Sequence, residues 1–371
     1  MATPTAAVFT DTYLPTINGV TYTIRTWRER WVARGGRMPV VYPGADGYDP
    51  EDGEHPIPSV NFPFYEEFNA GLPGIPDAVA RADPAVVHAH TPFLLGLSGL
   101  HFARSNNVPL VASYHTPTSE YADYLAAGLP RRVIERAARV YEKWYMNRAE
   151  MVVVPSDPAR EHLREIGVRA PVETVPNGVD TDRFRPVETD DFLARYGLDG
   201  DGDRPLVGYT GRHGYEKQLE DIVAAADGTD VTLVFGGDGP AREDLEARAA
   251  EADVDARFLG FLDREDLPAF YASLDAFAFP SPVETQGLVA LEAFACGTPV
   301  AAVDAGALSS TVRHGETGYT YPEGDVAGFR EAIDRTLAER ERLRDNCLAL
   351  RAEISVGHAV DRLAEVYGML R

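Results

Sequence analysis

Short, uninterrupted apolar runs, each followed by a helical pattern, recur along this chain in two series. The first is AAVFTD (6–11), MPVVYP (38–43), AVVHAH (85–90), PLVASYHT (109–116) and MVVVPS (151–156). The second is PLVGYTG (205–211), VTLVFGGDG (231–239), ARFLGF (256–261), AFAFPS (276–281) and PVAAVD (299–304). A strand that is continuously apolar, rather than alternating, is buried on both faces, as in a parallel sheet covered by helices. Two such series predict two doubly wound, Rossmann-like α/β domains. Their expected bounds are 1–186 and 205–354. The acidic, Gly/Asp-rich stretch at 187–204 reads as the linker region. The tail is helical from about 325, and its last piece, 355–371, is expected to pack back on the first domain. With 371 residues, each half can bury its own core.

Open α/β sheets bind ligands beyond the carboxyl ends of their strands, and two such domains place the natural site in the cleft between them. The residues just after each run are therefore the candidates. After PLVGYTG comes RHGYEKQLEDIVAAA, with Leu219, Ile222 and Val223 at helical spacing. Arg212 and Lys217 thus sit at a strand end and a helix start, where two cations form a diphosphate clamp. The alternative is a surface pair balancing Glu216 and Glu220. Lys217 stands out because the chain has 33 Arg but only two Lys, Lys143 and Lys217.

The second segment is FPSPVETQGLVALEAFACGTPV (279–300). Glu284 lies in the loop after a strand, Gly287 opens a helix, and Glu292 falls about one and a half turns into it. Free amides of Leu288 and Val289 at the helix start suit phosphate oxygens, and a carboxylate can hold a pair of sugar hydroxyls.

Several other patterns carry less. Asp-x-Asp occurs at 180/182, 199/201, 201/203 and 253/255, without the strand-end context of a metal-binding pair. GGDGPAR has Arg242 where a dinucleotide fingerprint needs its third glycine. His88 and His90 alternate on a strand, so that one is expected to face the cleft, and they lack zinc spacing. Cys296 and Cys347 form no disulfide framework.

The net charge of -23 disfavours nucleic acid as a partner. An acidic, lysine-poor chain resembles proteins of salt-loving organisms. The charge is uneven: residues 1–186 carry 18 basic and 22 acidic side chains, residues 187–371 carry 17 and 36. No apolar run approaches the roughly 20 residues that span a bilayer. The opening MATPTAAVFTD lacks the pattern of a signal peptide, so a reducing cytoplasm is the expected compartment. Against this acidity, the helix read in LPRRVIERAARVYEKWYMNR (129–148) is basic. Arg132, Arg136, Arg139 and Lys143 form one stripe, and Val133, Ala137, Tyr141 and Trp144 an adjoining apolar face. Such a helix suggests an anionic membrane surface on the acceptor side, the alternative being a solvated face. In the first helix, Trp27 and Trp31 have core spacing.

The Glu284/Glu292 pair in ETQGLVALEAFACGTPV resembles the E-x7-E signature of the family 4 retaining glycosyltransferases, which have the GT-B fold. Matches to PTINGV (15–20), VHAHTPF (87–93), SYHT (113–116), VPNGVD (175–180), GRHGYEK (211–217) and GGDGP (236–240) extend it over nearly the whole chain. The resemblance implies a hexosyltransferase that uses a nucleotide-diphosphate sugar and needs neither metal nor other cofactor. It implies that Gly19 lets a loop approach the donor phosphates and that Arg212 and Lys217 bind the diphosphate. Glu284 is expected to contact the donor sugar, Glu292 to hold the ribose, and His115 to lie near the reacting carbon as a positioning and polarity group. YHTPTSEYADYL (114–125) is similar to lipid-directed members, including diacylglycerol glycosyltransferases and phosphatidylinositol mannosyltransferases. That makes a membrane lipid the expected acceptor and peripheral attachment to the inner face of the membrane the expected location. The alternatives are a soluble acceptor, a sugar-nucleotide epimerase of the same architecture, or a non-catalytic sugar-binding protein.

Overall fold

The computed structural model describes residues 3–61, 69–115, 131–199 and 204–370. The chain divides into two units, Met1–Asn177 with Ala359–Arg371, and Gly178–His358. In the first, the strands are β1 (Ala6–Phe9), β2 (Val40–Pro43), β3 (Glu54–Ile57), β4 (Ser59–Asn61), β5 (Asn69–Gly71), β6 (Val86–Ala89), β7 (Leu110–Ser113), β8 (Met151–Val154) and β9 (Val172–Thr174). Seven form a parallel sheet in the order β3-β2-β1-β6-β7-β8-β9, and β4 and β5 pair as an antiparallel ribbon. In the second unit, β10 (Leu206–Thr210), β11 (Thr232–Gly236), β12 (Ala256–Gly260), β13 (Ala276–Phe279), β14 (Val300–Val303) and β15 (Gly318–Tyr321) make a parallel sheet ordered β12-β11-β10-β13-β14-β15.

The continuous apolar runs are these strands, and every residue of β1, β6, β7, β8, β10, β11, β13 and β14 is buried. Trp27 and Trp31 are core residues at 1% and 0% exposure. In each sheet the strand order reverses once, between β1 and β6 and between β10 and β13. The connections leaving two such neighbours run to opposite sides, so a crevice opens at their carboxyl ends.

The expected boundaries differ from the observed ones. The stretch at 187–204 contains a helix, Asp190–Tyr196, whose Phe192 is buried in the core of the second unit together with Leu198. Phe192 and Leu193 are embedded among acids, which mask the apolar pattern. Residues just after Asn177 are likewise tied into the second unit. The Arg351 guanidinium donates to the carbonyls of Phe184, Thr181 and Ala295, and Val179 bridges to Ser355. From Ala359 the last helix, Val356–Met369, belongs to the first unit: Tyr367 meets His88 there, Oη to Nδ1 2.6 Å.

One buried carboxylate organises the carboxyl edge of the first sheet. Asp11, directly after β1, accepts from Thr91 Oγ1 (2.6 Å) and from the amides of Leu95 (2.8 Å) and Gly96 (3.4 Å). It supplies the cap that Phe93 cannot give the helix Leu94–Ser105. Burial raises the Asp11 pKa, while these hydrogen bonds pull it back down. Asp11→Ala leaves three buried donors without their acceptor and is expected to cost roughly 1–3 kcal/mol of stability, read as a lower urea midpoint with an unchanged slope.

Candidate active site

The second sheet brings two of the expected residues together. Lys217 follows β10 and Glu284 follows β13, the two strands that flank the order reversal, and Lys217 Nζ lies 2.7 Å from Glu284 Oε1. Both side chains are about four-fifths buried, at 20% and 18% exposure. Ser281 Oγ donates to the same oxygen at 2.9 Å. Arg212 Nη1 reaches Glu216 Oε1 at 2.6 Å on the exposed side of this loop. Of the alternative surface pairing with Glu216 and Glu220, the contact to Glu216 is present through Arg212, whereas Lys217 pairs with Glu284. Loop position is fixed by backbone contact: Gly237, at φ +105°, lies so close to the Gly211 carbonyl that a Cβ there would stand 2.0 Å from its oxygen.

The helix start expected at Lys217 is different in detail. Tyr215–Lys217 is a single 3-10 turn, closed by Gln218 in the left-handed region, and the α-helix begins only at Glu220. Glu220 and Asp221 fill its first turn, so this helix end is already answered by its own acids. The positive charge here comes from the side chains of Arg212 and Lys217. Gly287 is the better-formed helix entry. It caps Leu288–Cys296 at φ +74°, and no side chain caps the amides of Leu288 and Val289 in the first turn.

Glu292, on that helix, accepts from Tyr271 Oη at 2.8 Å. Desolvation raises its pKa to about 7, with the Tyr271 hydrogen bond and the Arg264 charge opposing the rise. The loop carrying Glu284 is braced by its neighbour: Ala307 N donates to Glu284 O (3.0 Å) and Thr311 Oγ1 to Gln286 O (2.7 Å).

Gly19 and His115 stand in the first unit. Gly19 is exposed at the start of the helix Gly19–Ala33. Asn18 caps that helix through Thr21 N and donates to Thr12 Oγ1, which closes the loop after β1. His115 follows β7, and its Nε2 lies 2.9 Å from His90 Nδ1. Desolvation lowers the His115 pKa to about 4 and holds His90 well below its ordinary value. His88 and His90 do not divide between two sides. Two residues apart, they share a face, with ring centroids 4.2 Å apart.

On the helix Arg131–Met146, Arg132, Arg136 and Arg139 are exposed beside an open apolar stripe of Val133, Ala137, Val140 and Trp144. Val133, Val140 and Trp144 are 55%, 64% and 41% exposed, while Ile134, Tyr145 and Met146 face the core. Lys143 lies on the same helix face but turns its amine toward a neighbouring loop. Its Nζ lies 2.5 Å from where a Cβ on Gly167 would stand, at the C-terminal end of the helix Asp157–Glu165, a favourable place for a cation. Residues 116–125 of the lipid-like stretch and the Asp-x-Asp partners Asp201 and Asp203 lie outside the described residues. Asp180 accepts from the amide of Asp182, and Asp255 pairs with Arg204 and Arg257.

The profile described as Glycosyltransferase Family 4 matches residues 17–183, and that of Glycosyl transferases group 1 matches residues 195–348. A GDP-mannose-dependent alpha-mannosyltransferase of Mycolicibacterium smegmatis is 34% identical over 350 residues, covering 91% of this chain and 89% of that one. The chain is a family 4 glycosyltransferase. An alpha-monoglucosyldiacylglycerol synthase of Streptococcus pneumoniae is 28% identical to the transferase, over 97% of this chain and 84% of the relative. In fold, the transferase resembles sucrose-phosphate synthase of Thermosynechococcus elongatus, with a TM-score of 0.79 at 24% identity over 99% and 98% of the two chains. Its two Rossmann-like sheets are those of the GT-B class.

Four residues, two in each unit, take their significance from contacts that the sequence does not show. Tyr271, Ser281 and Asp11 carry no motif signal, because a hydroxyl or lone carboxylate gains meaning only from its partner. His90 did carry one, the i, i+2 spacing with His88, which places both on one face. A carboxyl with a raised folded pKa favours folding at low pH and loses that contribution as pH rises from its ordinary value of 4.5 through about 7. Glu292→Gln, which cannot ionise, should therefore gain in melting temperature over the parent as pH rises from 5 to 8. A constant difference across that range would refute the raised pKa.

Proposed function

We propose that this glycosyltransferase is a retaining, metal-independent hexosyltransferase that moves a sugar from a nucleotide diphosphate to a hydroxyl of a membrane lipid. The observation that carries the donor half is the Lys217–Glu284 pair at the order reversal of the second sheet. Lys217 and Arg212 meet the diphosphate, together with the amides of Leu288 and Val289. Glu284 turns to the sugar hydroxyls, and Glu292, in its ionised form, accepts from the ribose. Gly19 gives the first unit's loop close approach to the phosphates. The C1–oxygen bond to the diphosphate breaks as the acceptor oxygen bonds to C1 on the same face. A phosphate oxygen of the leaving group takes the acceptor proton. Negative charge grows on the diphosphate, and preorganised cations and amides stabilise it. His115, neutral at physiological pH, shapes the polarity at the sugar.

The lipid acceptor is supported by the exposed apolar stripe of the helix Arg131–Met146 flanked by Arg132, Arg136 and Arg139, and by likeness to a monoglucosyldiacylglycerol synthase. Among the described residues no helix is long and apolar enough to cross a membrane, so attachment through this face is peripheral. The very acidic second half is the solvation device of a salt-adapted protein.

Lys217→Ala should lower transfer by about 100-fold or more while the far-ultraviolet dichroism stays that of the parent. Parent-like transfer would remove the site assignment. GDP-mannose heads the donor panel because a relative's dependence on it is established by name, with UDP-hexoses as the comparison. EDTA should leave the rate intact, and a loss restored by Mg²⁺ overturns metal independence. For the acceptor face, Arg132, Arg136 and Arg139 all changed to Glu should weaken cosedimentation with anionic phospholipid vesicles at matched salt. An unchanged curve rejects the membrane face.

A further inference from the structure

His90 has no assigned role, yet its ring is among the most constrained in the first unit. It is 2% exposed. The His90 and His115 rings lie 12° from coplanar with centroids 5.1 Å apart, and Nδ1 of one is 2.9 Å from Nε2 of the other. They therefore meet edge to edge through a single N–H···N bond and not face to face. On its other side, His90 stacks on His88. That ring is itself fixed by Tyr367 Oη on Nδ1 (2.6 Å) and Ser113 Oγ on Nε2 (2.8 Å). Trp27 closes the remaining flank, with its centroid 5.7 Å from that of His90 and its Nε1–H donated to Asn177 O at 2.7 Å.

Two neutral imidazoles joined in this way share one proton at the junction, so their tautomers are coupled. With the proton on His115 Nε2, Nδ1 of His115 is an acceptor. With the proton on His90 Nδ1, Nδ1 of His115 carries the hydrogen. We infer that His90 is a positioning residue that holds His115 in one ring plane and one tautomer, so that a single, fixed polarity is presented to the sugar. This rests on the reading that His115 lies at the reacting centre. The role is that of an outer partner that orients a functional imidazole.

The test uses the full chain with ¹⁵N-labelled histidine, and long-range ¹H–¹⁵N spectra that distinguish the tautomers. The parent should show His115 as one tautomer, and an averaged pattern there overturns the inference without any variant. His90→Leu should convert His115 to a mixture. It should also lower kcat by about 10- to 100-fold, with little change in donor KM, for whichever of GDP-mannose or a UDP-hexose is turned over. His90→Asn, whose amide can donate or accept near the position of Nδ1, should restore the single tautomer and most of the rate. An unchanged His115 tautomer in His90→Leu, parent-like kcat in that variant, or a His90→Asn enzyme as impaired as His90→Leu each overturns the inference. His115→Ala separates the two levels: parent-like transfer there defeats the placement of His115, while the spectra still decide whether His90 sets its tautomer.

Discussion

The site depends on a reversal of strand order. β10 and β13 are hydrogen-bonded neighbours, but β11 and β12 lie between them in the chain and on the far side of β10 in the sheet. Right-handed crossovers then send the connections after β10 and after β13 to opposite faces, and the two loops meet only at the carboxyl edge. Lys217 and Glu284 are 67 residues apart along the chain and 2.7 Å apart in space for that reason. At that distance two mostly buried charges answer each other, and removing one strands its partner.

The same logic extends to the surroundings. Each charged group at the site is already engaged: Arg212 by Glu216, Lys217 by Glu284, Glu292 by Tyr271. In the first unit the organising groups are the Asp11 carboxylate and the histidine column. The first pins the helix Leu94–Ser105 to the end of β1, and the second carries the orientation of buried His88 outward to His115.

Much of this was legible in the chain. The apolar runs mark the strands because a covered parallel strand must be apolar on both faces, although β12, at the sheet edge, is only half-buried. The return of the tail is visible in helical residues that follow the second series. The boundary near Asn177 was not, since the segment after it looks like an acidic connector until Phe192 and Leu198 are seen in the core. In sequence, the turn at Lys217 looks like a helix start because the Leu219, Ile222 and Val223 spacing is helical. Gln218 in the left-handed region interrupts it, and periodicity is blind to a single residue's φ.

By itself, the sequence determined the two parallel sheets, the candidate residues at strand ends and the family, because each is written in local pattern or in motifs a few residues long. Only the tertiary structure decided which of those residues share an atom-to-atom contact. That Lys217 answers Glu284 and not Glu220, that Tyr271 holds Glu292, that Lys143 turns to Gly167 and that His90 grips His115 all follow from sheet order and packing. Such contacts join residues distant in sequence, or select one neighbour among several of equal local plausibility. Their energies depend on distance and burial, which exist only once the chain has folded.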